Sequence, residues 1–350
     1  MNLRSRMTVV LLFSALLFAA SASAQDQPKN VQILIGMPLA DVWHVMNLMA
    51  DGLGVSCQYC HLEGEGNAAS DAKPQKVRAR QMMRLVIDLN ARHFGGQPVV
   101  TCYTCHNGKP RPALIPPLPQ AIPPQPAVVE TKSLPTAASV IQKYVAAVGR
   151  EVTPGTTRLF KGTAQSARGE QVSITVVESG ENARVDAQLA DGSTLTRAFN
   201  ASEGWVRDKD GVRDLRPQQL LVAQMARDSY TPFHTSSIGT DARVVDSERI
   251  AERTAWVVAT STARYWFDAE SGFLLKRVIY TNSVVGRIPA QIEFGDYRDV
   301  GGVKLPFFMR VAGVDPYFNG SRQAQTIQVG VAIPSSQFEK PSSAGAAARR

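Results

Sequence analysis

Two short runs of the same pattern, Cys-x-x-Cys-His, constrain this chain more than any other feature of its sequence. They occupy residues 57–61 and 102–106, and together they use all 4 cysteines of the 350 residues. Two cysteines at this spacing can bond to one porphyrin, and the next histidine lies where it can bind the porphyrin iron. The sequence therefore predicts two covalently bound haems c. The attachment residues are Cys57, Cys60, Cys102 and Cys105, and the proximal iron ligands are His61 and His106.

Three other kinds of site use cysteine pairs. A zinc site does not need a histidine directly after each pair. A thioredoxin-like redox pair lies within a βαβ pattern, and neither pair here does. Two disulfides would suit an oxidising compartment, but they would not explain two histidines at the same position. The doubled motif therefore favours haem over all three.

The N-terminal residues have the features of a secretory signal peptide. Arg4 and Arg6 precede a nearly all-apolar run at residues 7–20, and small residues at 22–24 form a cleavage site. The apolar run is short for a membrane span. We expect residues 1–24 to be removed and the mature chain to lie in the periplasm. The alternative is an uncleaved N-terminal anchor that would hold the protein at the membrane.

The charge of the chain points to protein partners. It has 38 Lys and Arg against 30 Asp and Glu, a net charge of +8. The densest basic group is Lys76, Arg78, Arg80 and Arg84, on a predicted helix. It is either a solvated helix face or a docking surface for an acidic redox partner. No nucleic-acid-binding motif is present, so we expect the partners to be redox proteins of the periplasm or membrane.

The haem motifs lie in a repeated unit of an amphipathic helix followed by a loop. Apolar residues at helical spacing predict one helix at residues 38–54 and a second at about 74–93. Both helices carry methionines on their apolar stripes. A thioether from each helix could bind the iron opposite the histidine, although methionine also serves as ordinary core packing. Spacing alone does not separate the members of each pair, and two histidines are further candidates: Met46 or Met49, Met82 or Met83, His44 and His93.

Three stretches of this segment, residues 53–61, 82–90 and 100–106, resemble the photosynthetic reaction-centre cytochrome c subunit family. In that family each haem motif follows a helix whose methionine is the distal iron ligand. The resemblance therefore implies Met46 as the distal ligand of the first haem and Met82 as that of the second. The family's subunit carries four haems, so this chain resembles a two-haem relative of it.

The composition changes abruptly after the second motif. Residues 110–126 contain 8 prolines, which predict a semi-rigid extended spacer rather than packed structure. We predict a dihaem cytochrome c domain, a Pro-rich linker, a β-rich half-barrel-like domain and a disordered tail. Their respective bounds are 25–108, 109–136, 137–340 and 341–350.

The C-terminal part has the alternating pattern of an antiparallel sheet. After a helix at residues 133–149, strands are predicted from residue 171 to residue 333, interrupted by a helix at about 218–228. This order resembles the curved half-barrel of periplasmic lipoprotein-carrier proteins. Such a sheet could hold an apolar ligand on its concave side, but we favour a docking or scaffold sheet without a ligand.

The predicted fold class is therefore multi-domain. A mainly α haem-binding c-type cytochrome domain precedes an α+β domain with a curved antiparallel sheet. We expect a periplasmic electron carrier with two His/Met-ligated haems and no enzymatic activity. The alternative is a dihaem redox enzyme, similar to a peroxidase, with one open distal site.

Overall fold

The computed structural model describes residues 29–64, 67–113, 134–314 and 319–341. The predicted signal peptide lies outside the described residues. So do most of the predicted Pro-rich linker and all but one residue of the predicted tail.

The N-terminal part is helical, as predicted. Its helices are α1 (Leu39–Leu53), α2 (Pro74–His93) and α3 (Cys102–His106). Proline suits the first turn of α2, because its missing N–H would have no partner there. The second haem motif itself forms α3, which the sequence analysis did not predict. In the described part of the chain, no helix combines the length and the apolar character needed to cross a membrane.

Helix α1 ends against the second haem motif. Gly54 caps it in the left-handed conformation, at a φ of 64°, which glycine adopts without steric cost. A Cβ atom at this position would overlap the carbonyl of Gly108. The Gly108 N–H also donates to the Gly52 carbonyl at 3.1 Å. Glycine at these positions lets the end of α1 approach the chain that follows α3.

The C-terminal part begins with α4 (Ala137–Val148) and contains one antiparallel sheet in its described residues, as predicted. A further helix, α5 (Pro217–Ser229), lies between β6 and β7. The strands are β1 (Arg158–Ser166), β2 (Gln171–Ser179), β3 (Asn182–Gln188), β4 (Thr194–Phe199), β5 (Gly204–Asp208), β6 (Gly211–Asp214), β7 (Arg243–Ile250), β8 (Arg253–Ala259), β9 (Ala263–Asp268), β10 (Leu274–Ser283), β11 (Gly286–Asp299), β12 (Lys304–Gly313) and β13 (Gly320–Val329). Short 3-10 turns occur at Cys57–Tyr59, Asn67–Ala69, Thr235–Ser237 and Ser335–Gln337.

The strand order shows how the chain builds this sheet. It is β6-β5-β4-β3-β2-β1-β13-β12-β11-β10-β9-β8-β7. The chain therefore runs outward from β1 to one edge, passes through α5, and returns from the opposite edge. The first and last strands meet in the middle, where β1 pairs with β13. This long-range pair joins the two halves into one sheet.

The sequence pattern predicts strands only from residue 171 onward and so misses β1. It also predicts strand as far as residue 333, past the end of β13 at Val329. The β1–β13 register shifts between Lys161 and Gly162. A Cβ atom at residue 162 would overlap the Gln323 carbonyl. This irregularity breaks the strict alternation by which a strand is recognised. Pairing with β2 and β13 on its two sides holds β1 in place.

Helix α4 packs on the sheet through aromatic contacts. The ring of Tyr144 lies edge-on to Phe233 at 5.3 Å and to Phe267 at 5.5 Å between centroids. Val140 and Val148, on the same face of the helix, are buried in this cluster. Such pairs contribute about 0.5–1.5 kcal/mol each beyond the area that they bury. The helix therefore covers one face of the C-terminal core.

The turn between β10 and β11 reaches the helical part. Val285 is fully buried, at 0% exposure, in the same cluster as Val45 of α1 and Met83 of α2. Gly286 follows, and a Cβ atom there would lie 2.9 Å from Thr101 Cγ2. Val285, from the turn between β10 and β11, thus packs in the core of the helical part, next to the second haem motif.

We expect Val285→Ala to lower the free energy of unfolding of the full chain by about 2 kcal/mol, because it removes two buried methyl groups and leaves a cavity. Denaturant unfolding, followed by the helical signal, measures this loss. The neighbouring Val284 is 45% exposed, so Val284→Ala is the matched control and should change stability little. Equal effects of the two substitutions would contradict the packing.

Candidate haem-binding site

The first motif turns tightly directly after α1. Residues Cys57–Tyr59 form a 3-10 turn, and the N–H groups of Cys60 and His61 both donate to the Cys57 carbonyl, at 3.2 and 3.0 Å. Side chains three residues apart eclipse one another in such a turn. The local fold therefore brings the two thiols of the motif to one side.

His61 is oriented by a backbone carbonyl. Its Nδ1 lies 3.1 Å from the Ala68 oxygen. A carbonyl only accepts hydrogen bonds, so Nδ1 carries the proton and Nε2 keeps a free lone pair. Burial lowers the pKa of His61, and the charges of Lys76, Arg80 and Lys73 lower it further, against the raising effect of the Ala68 bond. The neutral ring is the form that binds a metal.

The loop that supplies this carbonyl is held by two cations of α2. Lys76 Nζ donates to the carbonyls of Ala68, at 2.7 Å, and Ser70, at 2.9 Å. Arg80 bonds Asp71 at 2.9 Å and the Asn30 carbonyl at 3.0 Å. These contacts correct the interpretation of the basic group as one solvated or docking face. Lys76 and Arg80 point inward and are buried, because the loop offers them a carboxylate and several carbonyls.

The second motif is ordered by its own cap. Thr101 and Thr104 form a capping box: the Thr101 N–H donates to Thr104 Oγ1 at 3.0 Å, and the Thr104 N–H donates to Thr101 Oγ1 at 3.4 Å. Cys102 and Cys105, three residues apart on α3, share one face of that helix. His106 Nδ1 lies 2.9 Å from the Lys109 carbonyl. The second histidine therefore also presents a free Nε2.

A buried asparagine of α2 holds the chain that enters the second motif. Asn90 is 3% exposed, donates to the Val100 carbonyl at 2.8 Å and accepts from the Val100 N–H at 2.9 Å. These two hydrogen bonds fix Val100, the residue before the Thr101 cap. The sequence analysis missed them. Asn90 lies four positions after Val86, on the face of α2 that also buries Met83. A polar residue at this position of the helical repeat was the available signal.

In one of the two methionine pairs, the two side chains differ in exposure. Met83 is 3% exposed and belongs to the helical core, whereas Met82 is 37% exposed. The apolar stripe predicted for α2 is thus divided, with Met82 outside the core. Met46 and Met49 both pack beside the helical core and are both half-buried. Of the two histidine candidates, His44 is half-buried and His93 is exposed.

The donor set of both motifs fits haem c. None of the four cysteines forms a disulfide, and burial raises the pKa of the Cys60 and Cys102 thiols. Among the described residues, no group of three or more His, Cys, Asp or Glu side chains is arranged to hold a metal ion. Each motif instead combines two thiols with one free imidazole nitrogen, the set that a covalently bound haem uses.

The helical part exposes several large apolar side chains. Most of the large apolar side chains that are exposed in the described residues belong to this part. They are Ile35, Tyr59, Leu62, Val77, Met82, Leu85, Phe94, Val99 and Tyr103. Exposed apolar side chains are thus more frequent in the helical part than in the sheet, and the face of a porphyrin is a group that such side chains could cover.

The cavities beside the sheet differ in size. A cavity between β1, β12 and the end of α5 has a volume of about 20 Å³. Its lining includes Phe160, Met309 and Arg322, and burial lowers the pKa of Arg322 to about 10. A volume of this size holds a single water molecule. An acyl chain does not fit in this cavity. A larger open cleft of about 390 Å³ lies beside β4 and β5, and its lining includes Phe199, Trp205 and Lys340.

Comparison with known proteins connects the helical part to cytochromes. Residues 13–146 match the family model of the photosynthetic reaction centre cytochrome C subunit. Over 100 residues the chain is 47% identical to cytochrome c-554 of Chloroflexus aurantiacus, covering 26% of this chain and 24% of the relative. It is 35% identical over 89 residues to the reaction center cytochrome c subunit of Rubrivivax gelatinosus, covering 24% and 23%. The chain spans about a quarter of the length of these curated relatives. The resemblance that the motifs indicated is confirmed.

The sheet is similar to other solved structures. A LolA superfamily protein from Nitrosomonas europaea matches 59% of this chain and 98% of its own, at 12% identity and a TM-score of 0.36.

Proposed function

We propose that this protein is an exported electron carrier that holds two haems c and exchanges single electrons with redox proteins of the periplasm or membrane. One observation carries the proposal: in each motif the histidine donates from Nδ1 to a backbone carbonyl, which leaves Nε2 to bind iron. The similarity to cytochromes supports it. Haem supplies the one-electron exchange between ferric and ferrous iron.

The proposed attachment and proximal residues are those of the two motifs. Cys57 and Cys60 would hold the first haem and His61 would bind its iron, and Cys102, Cys105 and His106 would do the same for the second haem. Met46 and Met82 are the proposed distal ligands of the first and second haem. The exposure of Met82 beside the buried Met83 supports the second assignment. The first rests on the family resemblance alone.

A thioether on the distal side distinguishes a carrier from an enzyme. It fills the sixth position of the iron, so that peroxide or oxygen finds no site there, and it favours the ferrous state. Methionines on both helices that precede a motif therefore support a carrier. A dihaem enzyme of the peroxidase type would need one of these positions to be open.

The proposed organisation follows the predicted bounds. Residues 1–24 are a signal peptide, 25–108 the dihaem domain, 109–136 a linker and 137–340 the sheet domain. Covalent haem attachment takes place outside the cytoplasm, which agrees with export to the periplasm. We propose a docking or scaffold sheet rather than a carrier of an apolar ligand, since the larger cleft beside β4 and β5 is lined by charged as well as apolar side chains, among them Asp214, Glu339 and Lys340.

The test is carbon monoxide binding to the reduced holoprotein. With both irons six-coordinate, we expect no carbon monoxide spectrum at either haem and reversible one-electron reduction of both. Hydrogen peroxide should not be turned over. Carbon monoxide binding at one haem, together with peroxide turnover, would contradict the carrier and support the enzyme.

A further inference from the structure

Lys76 donates a hydrogen bond to the same backbone carbonyl that orients His61. The Ala68 carbonyl accepts from Lys76 Nζ at 2.7 Å and from His61 Nδ1 at 3.1 Å. The lysine side chain is 11% exposed, so water screens its charge weakly. One carbonyl is therefore shared between a buried ammonium group and the ring that is proposed to bind iron.

The charge of Lys76 is only partly compensated. The nearest carboxylate is Asp71, whose Oδ1 lies 3.3 Å from Lys76 Nζ. Asp71 also pairs with Arg80, whose side chain is as buried as that of Lys76, at 2.9 Å. Two cations thus share one carboxylate, and the cluster beside the first haem motif keeps a positive charge.

The second motif has a different environment. His106 Nδ1 bonds the Lys109 carbonyl, and no side chain in the described ranges donates to that carbonyl. Both histidines place Nδ1 at a backbone carbonyl. The shared carbonyl is thus a difference between two sites that the sequence motif makes alike.

We propose that Lys76 is a positioning residue that raises the reduction potential of the first haem. Reduction adds negative charge at the iron, which a buried cation nearby stabilises. A carbonyl that already accepts from an ammonium group also accepts less strongly from His61, so the ring donates less electron density to the iron. The proposal rests on the proposed function, and its consequence is that electrons are drawn toward the first haem.

The experiment is a potentiometric titration of the full-length holoprotein, with the two haems followed separately by their ferric electron paramagnetic resonance signals. We expect Lys76→Met to lower the equilibrium constant for reduction of one haem about tenfold, which is about 59 mV for one electron. The other haem should not change. Lys76→Arg keeps the charge and should restore most of the potential.

Two matched controls identify the haem and the cause. In a chain carrying Cys57→Ala and Cys60→Ala only the second haem remains, and Lys76→Met should leave its potential unchanged. Lys73 donates to the Gln58 carbonyl inside the first motif but not to that of Ala68, so Lys73→Met should shift the potential far less. If Lys76→Met prevents attachment of the first haem, Lys76→Gln replaces it.

The outcomes separate this proposal from the function on which it rests. Fewer than two haems in the unsubstituted protein, counted by the pyridine haemochrome method, would overturn the proposed function. Two haems with potentials that Lys76→Met leaves unchanged would overturn only the role of Lys76. An equal shift in Lys73→Met, or no rescue by Lys76→Arg, would also overturn it.

Discussion

The holoprotein purified after export should exceed the mass of its mature polypeptide by two haem groups. The expectation follows from two complete motifs, each with two free thiols and a histidine whose Nε2 is free. Thioether bonds are covalent, so both groups should survive denaturation. Intact-mass spectrometry under denaturing conditions measures this.

Removing one pair of thiols should remove one haem. The chain with Cys57→Ala and Cys60→Ala should carry a single haem, and so should the chain with Cys102→Ala and Cys105→Ala. Ser56 is exposed and directly precedes the first motif, so Ser56→Ala is the control and should retain both. A mass that shows no porphyrin, or bound zinc in its place, would end the haem interpretation.

Substitution of Met82 should open the second haem alone. We expect Met82→Ala to change carbon monoxide binding at the reduced second haem from undetectable to stoichiometric. The weak sulfur-to-iron absorption band of that haem should disappear, and its reduction potential should fall, because the thioether favours ferrous iron. The first haem should keep its spectrum. Absorption spectroscopy of the reduced protein, with and without carbon monoxide, measures each change.

The adjacent methionine provides the control. Met83 is 3% exposed within the helical core, so Met83→Ala should cost about 2–5 kcal/mol of unfolding free energy and leave both haem spectra intact. A change of ligation in Met83→Ala, with none in Met82→Ala, would reverse the assignment. If neither substitution alters the spectrum, the methionines serve as packing and His93 becomes the next candidate.

The contact through Val285 joins the sheet to the helical part. The turn between β10 and β11 buries this valine in the helical core and brings Gly286 against Thr101, the cap of the second motif. The predicted organisation treats the two parts as separate domains joined by a linker. This packing adds a direct contact between the sheet and the second motif.

Much of the site follows from sequence alone, because the chemistry is local. At each haem motif two thiols and a histidine lie within five consecutive residues, so the motif can be recognised from the sequence alone. The bounds of α2 follow from Pro74 and from the glycines that come after the helix, and the alternation of strands marks most of the sheet. These features depend on neighbours in the chain.

Other features depend on contacts that lie outside the local pattern, and only the tertiary structure decided them. The sequence pattern places Lys76 and Arg80 on the surface, but in the structure the loop at Asp71 covers them. Neighbouring residues Met82 and Met83 have the same side chain, and only the packing of Val285 and α1 makes one of them core. Likewise β1 has a weak pattern and becomes a strand by pairing with β13. In each case the free energy comes from a contact outside the helical or strand repeat, and for Arg80, Met83 and β1 a partner lies far along the chain, so local periodicity does not record it.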